Sequence, residues 1–226
     1  VAYDLEEQEQ LATLKAWWNT YGNLVTTVVL VVALAFAAWN GWNWYQRNQA
    51  AAATGAYEEL QTAVAAKDMA RVKTAAGTLF DQYSRTAYAQ MGGLLAARTS
   101  FDAGDLRTAK AQLQWVVDNA RDESFKMVAR LRLAGVLLDE GAHDAALALV
   151  NGSVPEQFEA VFADRKGDIL MALKKPEEAR AAYQLSVAKS DLHNPHRQIV
   201  EIKLDDLGLK DAAPAATPAA PVGDKK

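Results

Sequence analysis

Between Lys15 and Arg47 the chain carries no charged side chain over 31 consecutive positions. The centre of that run, from Leu24 to Trp39, is almost purely apolar. A hydrocarbon core about 30 Å thick is crossed by roughly 20 helical residues at about 1.5 Å rise each. Trp18 and Trp39 lie 21 steps apart, which matches that thickness. Aromatic side chains mark both ends, with Trp17, Trp18 and Tyr21 before the run and Trp39, Trp42, Trp44 and Tyr45 after it. Such rings favour the headgroup layer, where an apolar body and a polar tip are both satisfied. Five of the six tryptophans lie here, a distribution that a buried core helix does not explain. Thr26 and Thr27 suit lipid because each hydroxyl can return to the helix backbone. One transmembrane helix over residues 22–46 is expected, preceded by a short acidic segment over 1–21.

Cleavage and direction are separate questions. Ala35-Phe36-Ala37 has the small-x-small form of a signal-peptidase site. The stretch before the apolar run is acidic, with Asp4, Glu6, Glu7 and Glu9 against Lys15. The motif also lies inside the apolar run rather than after it, so an uncleaved anchor is expected. The positive-inside rule gives no direction. Lys15 on one side balances Arg47 on the other, and a large downstream domain crosses regardless of its own charge.

The rest of the chain is of globular composition. Hydrophobic residues make up 50% of the 226 and charged residues 23%, which excludes a wholly disordered protein. The net charge of -4 argues against nucleic acid, which asks for a basic face. With Cys at 0, disulfides, thiolate zinc sites and cysteine nucleophiles are impossible. Residues 47–208 carry 20 basic and 22 acidic side chains, nearly neutral and interspersed. About one residue in five there is alanine, the strongest helix former. Apolar residues recur at three and four, as in Val128, Leu131, Leu133, Val136 and Leu137. That is helical periodicity, and no period-2 stretch competes with it. Breakers at Gly104-Asp105, Gly141, Pro176 and Asn194-Pro195 divide the region into about nine helices, the last ending at Gly208.

The units repeat. Ala97…Gly104-Asp105…Ala109, Ala134…Gly141…Ala146 and Gly167…Lys175-Pro176…Ala179 align, and their second alanines are separated by 37 and 33 residues. A degenerate earlier unit runs Leu60…Lys67-Asp68…Val72. The pattern resembles the tetratricopeptide repeat (TPR), a helix–turn–helix of about 34 residues. Small residues on facing helices let an antiparallel pair approach closely. A TPR-like α-solenoid with a C-terminal capping helix is therefore expected over 47–208. The stretch 209–226 is rich in Ala and Pro and reads as a disordered tail.

Candidate chemistry is sparse. His193 and His196 lack a third ligand at metal-binding spacing. Asp164 and Asp168 share a helix face at the spacing an acid–base pair uses, but Arg165, Lys166 and Arg180 offer ordinary partners. No GxxxxGK, GxSxG or GxGxxG motif occurs. No catalytic residue, cofactor, metal or small-molecule substrate is expected.

A series of short motifs runs along the chain: Lys15-Ala16-Trp17-Trp18, Trp39-Asn40-Gly41-Trp42, Ala-Tyr-Glu-Glu-Leu at 56–60 and Ala-Lys-Ala-Gln-Leu at 109–113. Leu-Arg-Leu-Ala at 131–134, Arg-Lys-Gly-Asp at 165–168 and Glu-Ile-Lys-Leu-Asp-Asp-Leu at 201–207 complete it. In order and spacing this series resembles the YfgM-like family of ancillary SecYEG translocon subunits. The resemblance implies a single-pass protein of the bacterial inner membrane, its N-terminus cytoplasmic and its TPR-like domain periplasmic. It also implies association with SecYEG and with a membrane-anchored periplasmic chaperone of the PpiD type, helping to hand translocated proteins to periplasmic chaperones. The alternatives are a TPR scaffold for another envelope complex and a stress-response regulator that acts by titrating a partner.

The first helix of each TPR hairpin lines the concave side, where extended segments or partner helices bind. In the proposed register that side carries Met91, Leu94, Arg98 and Phe101, then Val128, Leu131 and Leu138, then Asp164, Asp168 and Met171. A mostly apolar groove with a few charges suits a flexible chaperone segment or an unfolded client.

Overall fold

Nine α-helices and no strand occupy the described residues of the computed structural model, which covers the backbone of 2–211 and the side chains of 9–208. They are α1 (Ala2–Ala65), α2 (Met69–Gln82), α3 (Ala87–Asp102), α4 (Leu106–Asn119), α5 (Glu123–Asp139), α6 (His143–Val150), α7 (Glu156–Ala172), α8 (Pro176–Lys189) and α9 (Pro195–Asp211). The chain divides into two compact units between Ala52 and Ala53.

In the first unit α1 turns its apolar side chains outward. Its most apolar stretch has a mean hydropathy of 2.0, and only 6% of that stretch is buried. The helix is long and apolar enough to cross a membrane. It runs without a break through both ends of the expected span, so composition alone marks those ends. The Thr26 hydroxyl donates to Gly22 O at 2.7 Å and that of Thr27 to Asn23 O at 2.8 Å. Both are thus satisfied inside the helix, as the sequence implies.

In the second unit the end of α1 meets α2 and α3 in one core, and α3 pairs with α4, α5 with α6 and α7 with α8. Four turns built to one plan create these hairpins. Lys67, Gly104, Gly141 and Lys174 sit at φ of 55°, 80°, 77° and 60°. At each turn two N–H groups return to the preceding helix. Gly104 donates to Phe101 O and Asp105 to Ser100 O, both at 2.9 Å, and the other three turns repeat the pattern. This pairing closes a helix C-terminus around one left-handed residue. Glycine adopts that conformation freely, whereas a lysine holds it against a steric penalty.

The residue after each turn starts the next helix. The Asp68 and Asp105 carboxylates accept from the N–H groups of Arg71 and Thr108 at 3.1 and 3.0 Å, the usual cap for exposed first-turn donors. Pro176 opens α8, with Glu177 and Glu178 in its first turn. One turn further, Val72, Ala109, Ala146 and Ala179 donate their N–H groups to the cap carbonyls of Asp68, Asp105, Ala142 and Lys175. All four are buried, as are Ala97, Ala134 and Gly167 on the facing helices. The repeat register expected from the sequence is thus the register of the hairpins.

One feature departs from the sequence reading, and one helix is shorter than its counterparts. Gly208 does not end α9, which continues to Asp211. A glycine within a helix weakens it by about 1 kcal/mol against alanine without breaking it. The second helix of the middle hairpin, α6, spans only 8 residues against 14 for α4. Its early end is covered by Arg130, whose guanidinium donates to Leu149 O at 2.7 and 3.2 Å and lies 5.3 Å from the centre of the Phe162 ring. A cation there meets the negative end of the helix dipole. The expected tail from residue 212 onward lies outside the described residues.

Candidate partner-binding site

The repeat brings the first helices of successive hairpins side by side, α3 against α5 and α5 against α7. Between them lies a cavity of about 220 Å³. Its walls are Ala97, Arg98 and Phe101 of α3, Leu113 of α4, Arg132, Gly135, Val136 and Asp139 of α5, and Arg165 of α7. Three guanidinium groups thus share one small, largely apolar space.

Their pairing is unequal. Arg98 Nε donates to Asp102 Oδ2 at 2.8 Å on the exposed rim. Arg165 has Asp168 at 3.7 Å, and its Nε is buried without a hydrogen bond. Arg132 has no carboxylate partner among the described residues. Its one hydrogen bond, to Leu94 O, is 3.4 Å long, beyond the usual range for a good bond. Burial, and then the charge of Arg98, lower the Arg132 pKa. A guanidinium nevertheless stays protonated at any physiological pH.

The ten residues expected to line a groove are not equally available. Arg98 and Phe101 line the cavity, and Met91 is 37% exposed. Leu94 is instead a core residue, packed with Leu113, Val116 and Leu133. Val128 is half-buried against the same cluster, Leu131 and Leu138 pack on the Met127–Phe162–Ile169 cluster, and Met171 packs on the Leu170–Tyr183–Val200 cluster.

Asp164 and Asp168 are placed differently from the open groove face expected of them. The capping helix covers them: Lys203 Nζ of α9 donates to Asp164 Oδ1 and Asp168 Oδ1, each at 2.7 Å. The Tyr183 hydroxyl donates to Asp168 Oδ1 at 2.9 Å. His196 Nε2 lies 3.2 Å from Asp164 Oδ2 without a hydrogen bond to it. The ordinary partners offered by sequence were Arg165, Lys166 and Arg180, yet the close cation comes from 35 and 39 residues downstream. Asp164 is buried and Asp168 half-buried, and such carboxylates need a partner, because an unpaired charge under α9 would be costly. Burial, followed by the bond to Asp168, pushes the Tyr183 pKa far above its ordinary value, so the ring stays a neutral donor. Arg197 adds a second fastening, donating to Glu201 Oε1 at 2.8 Å and to Val187 O at 2.7 Å.

Sequence reasoning missed Arg132, Asp139 and Lys203, and took Arg165 only as a partner of Asp164 and Asp168. A signal existed for two of them. Arg132 and Arg165 each stand nine residues before a left-handed turn residue, Gly141 and Lys174. Arg98 stands six before Gly104, one helical turn along the same face. Lys203 gave no such sign, since α9 has no counterpart in the repeat.

The expected membrane-interface aromatics form two groups along α1. Trp17 lies 6.4 Å from Trp18 and 5.8 Å from Tyr21, ring centre to ring centre, and Trp42 lies 6.1 Å from Tyr45. Trp39 and Trp44 are each 67% exposed, an unfavourable arrangement in water for large apolar rings.

Residues 15–209 match the model of the tetratricopeptide repeat-like domain family. A protein of Neisseria gonorrhoeae named "Ancillary SecYEG translocon subunit" is 31% identical over 92% of this chain and 100% of its own length. Proteins of the same name from Haemophilus influenzae and Escherichia coli are each 28% identical, covering 92% and 90% of this chain and 100% and 97% of their own. No solved structure matches the chain significantly.

Proposed function

The chain belongs to the YfgM-like family of ancillary SecYEG translocon subunits, with a tetratricopeptide repeat-like domain, and on that premise we propose that it is a membrane-anchored, non-catalytic interaction protein of the SecYEG translocon. Residues 22–46 cross the bacterial inner membrane once, with the preceding segment cytoplasmic and residues 47–208 periplasmic. The repeat domain engages a membrane-anchored chaperone of the PpiD type and helps hand translocated polypeptides to periplasmic chaperones. The observation that carries this reading is the combination in one chain of an outward-facing apolar helix and stacked TPR-like hairpins. The hairpins offer surface for polypeptide, and the first helix offers a place beside a membrane channel.

Purification of the tagged full chain from membranes in mild detergent tests the assignment. Translocon subunits and a membrane-anchored chaperone should accompany it. Recovery with the subunits of another envelope complex instead would assign it a different assembly. Protease added to spheroplasts tests the direction and should digest the repeat domain. A domain that survives until lysis reverses it.

A further inference from the structure

Two cations at the α3–α5–α7 cavity are under-used. Arg132 has one long hydrogen bond to a backbone carbonyl and no carboxylate partner among the described residues. Arg165 reaches Asp168 only at 3.7 Å, keeps a buried Nε without a bond, and shares Asp168 with Lys203 and Tyr183. Arg165 is half-buried with that Nε unsatisfied, and Arg132 stands exposed at the rim without a carboxylate, so the cavity carries an excess of positive charge and open fork donors that suit an anion from outside. Phe101, Leu113 and Val136 complete the wall, so the visitor must be an anion carried on apolar matter.

The choice among anions follows from Asp139. This exposed residue stands at the cavity wall and its carboxylate has no ion-pair partner among the described residues. A doubly charged group would be repelled there, whereas a single carboxylate flanked by donor N–H groups satisfies both signs. A polypeptide segment supplies that combination: an acidic side chain for the arginines and backbone N–H groups for Asp139.

We propose that this cavity is a carboxylate-binding subsite, which takes an Asp or Glu side chain of a polypeptide segment lying along the α3–α5–α7 face between Arg132 and Arg165. The subsite rests on the reading of the repeat domain as the partner surface, and it specifies the chemistry that the partner must present.

The test uses the full chain in detergent and two fluorescein-labelled peptides of Ala and Leu. One carries a single central Glu, and the other carries Gln at the same place. Fluorescence anisotropy should give the Glu peptide an affinity higher by about tenfold, the scale of a charge-assisted fork contact. Arg132→Gln should abolish the preference, while Arg132→Lys should retain part of it, because a lysine keeps the charge but loses the fork. Independently of any variant, the Glu peptide should slow modification of Arg132 by phenylglyoxal, read by mass spectrometry. Equal affinity of the two peptides, absence of Glu-peptide binding, or an undiminished preference in Arg132→Gln overturns the proposal. Protection of Arg132 by phosphatidylglycerol vesicles but not by the Glu peptide overturns it in favour of an anionic headgroup. Translocon subunits that still co-purify after such a failure leave the proposed function standing and remove only the subsite.

Discussion

Gly167 of α7 faces the ring of Tyr183 of α8 so closely that a Cβ at position 167 would overlap the ring's edge carbons. The ring is itself buried and held by its bond to Asp168, so it cannot swing aside. Gly167→Ala should therefore destabilise the domain by about 1–3 kcal/mol through overpacking, offset by up to about 1 kcal/mol of helix propensity. Gly77→Ala is the control, because nothing lies within 4 Å of a Cβ there. It should stabilise by about 0.5–1 kcal/mol. Urea unfolding of the two variants checks both signs.

Lys67 and Lys174 occupy the backbone position that Gly104 and Gly141 occupy in the other turns. Replacing either lysine by glycine removes about 1–2 kcal/mol of steric penalty and adds about 0.4–1 kcal/mol of unfolded-state entropy. A net gain of roughly 0.5–1 kcal/mol per site is expected from these terms, read as a higher melting temperature. A fall would mean that the lysines hold their turns by some other contact.

Ala146 is fully buried where α6 meets its neighbours. Ala146→Glu would place a carboxylate there without a partner, at a penalty of several kcal/mol. That is a large share of the roughly 5–15 kcal/mol typical of a domain. An unchanged melting temperature would reject the repeat register.

Lys203→Ala should leave Asp164 and Asp168 facing each other beneath α9. A fully buried pair would lose about 3–5 kcal/mol, but the Lys203 side chain is 30% exposed, so about 1–3 kcal/mol is expected. The loss should concentrate in α9, seen as faster amide exchange there than in α3–α6. Uniform exchange would deny α9 a separate fastening.

The raised Tyr183 pKa fixes the sign of an alkaline effect. Its phenol stays protonated in the folded chain above pH 10, where the unfolded chain releases that proton. The contribution to stability is full below the unfolded value and declines as pH rises beyond it. Tyr183→Phe should lower stability at neutral pH by about 1 kcal/mol through the lost bond to Asp168. It should also flatten the decline above pH 10, as followed by circular dichroism. An equally steep decline in the variant would assign the effect to other groups.

The hairpin architecture was legible because turn, cap and small buried residue recur together. Gly104-Asp105-…-Ala109 announces in sequence what the backbone does at that point. The end of α6 is written in sequence too, since Asn151-Gly152-Ser153-Val154-Pro155 follows Val150 directly. The candidate site was legible only in part. Apolar residues such as Leu94 and Leu131 satisfy the same spacing whether they face a groove or the core, and the repeat alone does not separate the two. For Asp164 and Asp168 the deciding partner lies on α9, beyond the repeating pattern.

From α2 onward, the substantial helix–helix contacts join elements that are adjacent in sequence or next but one. Each turn also closes through hydrogen bonds that reach back no further than five residues. A topology of such short loops has low contact order and folds fast, because little chain entropy is lost before each contact forms. Its stability is close to a sum of neighbouring interfaces, so structure can grow hairpin by hairpin. A chain delivered from one end can therefore begin folding at α2–α4 before α9 is available. The Lys203 fastening to Asp164 and Asp168 then comes last, as the step that closes the exposed end of a growing stack.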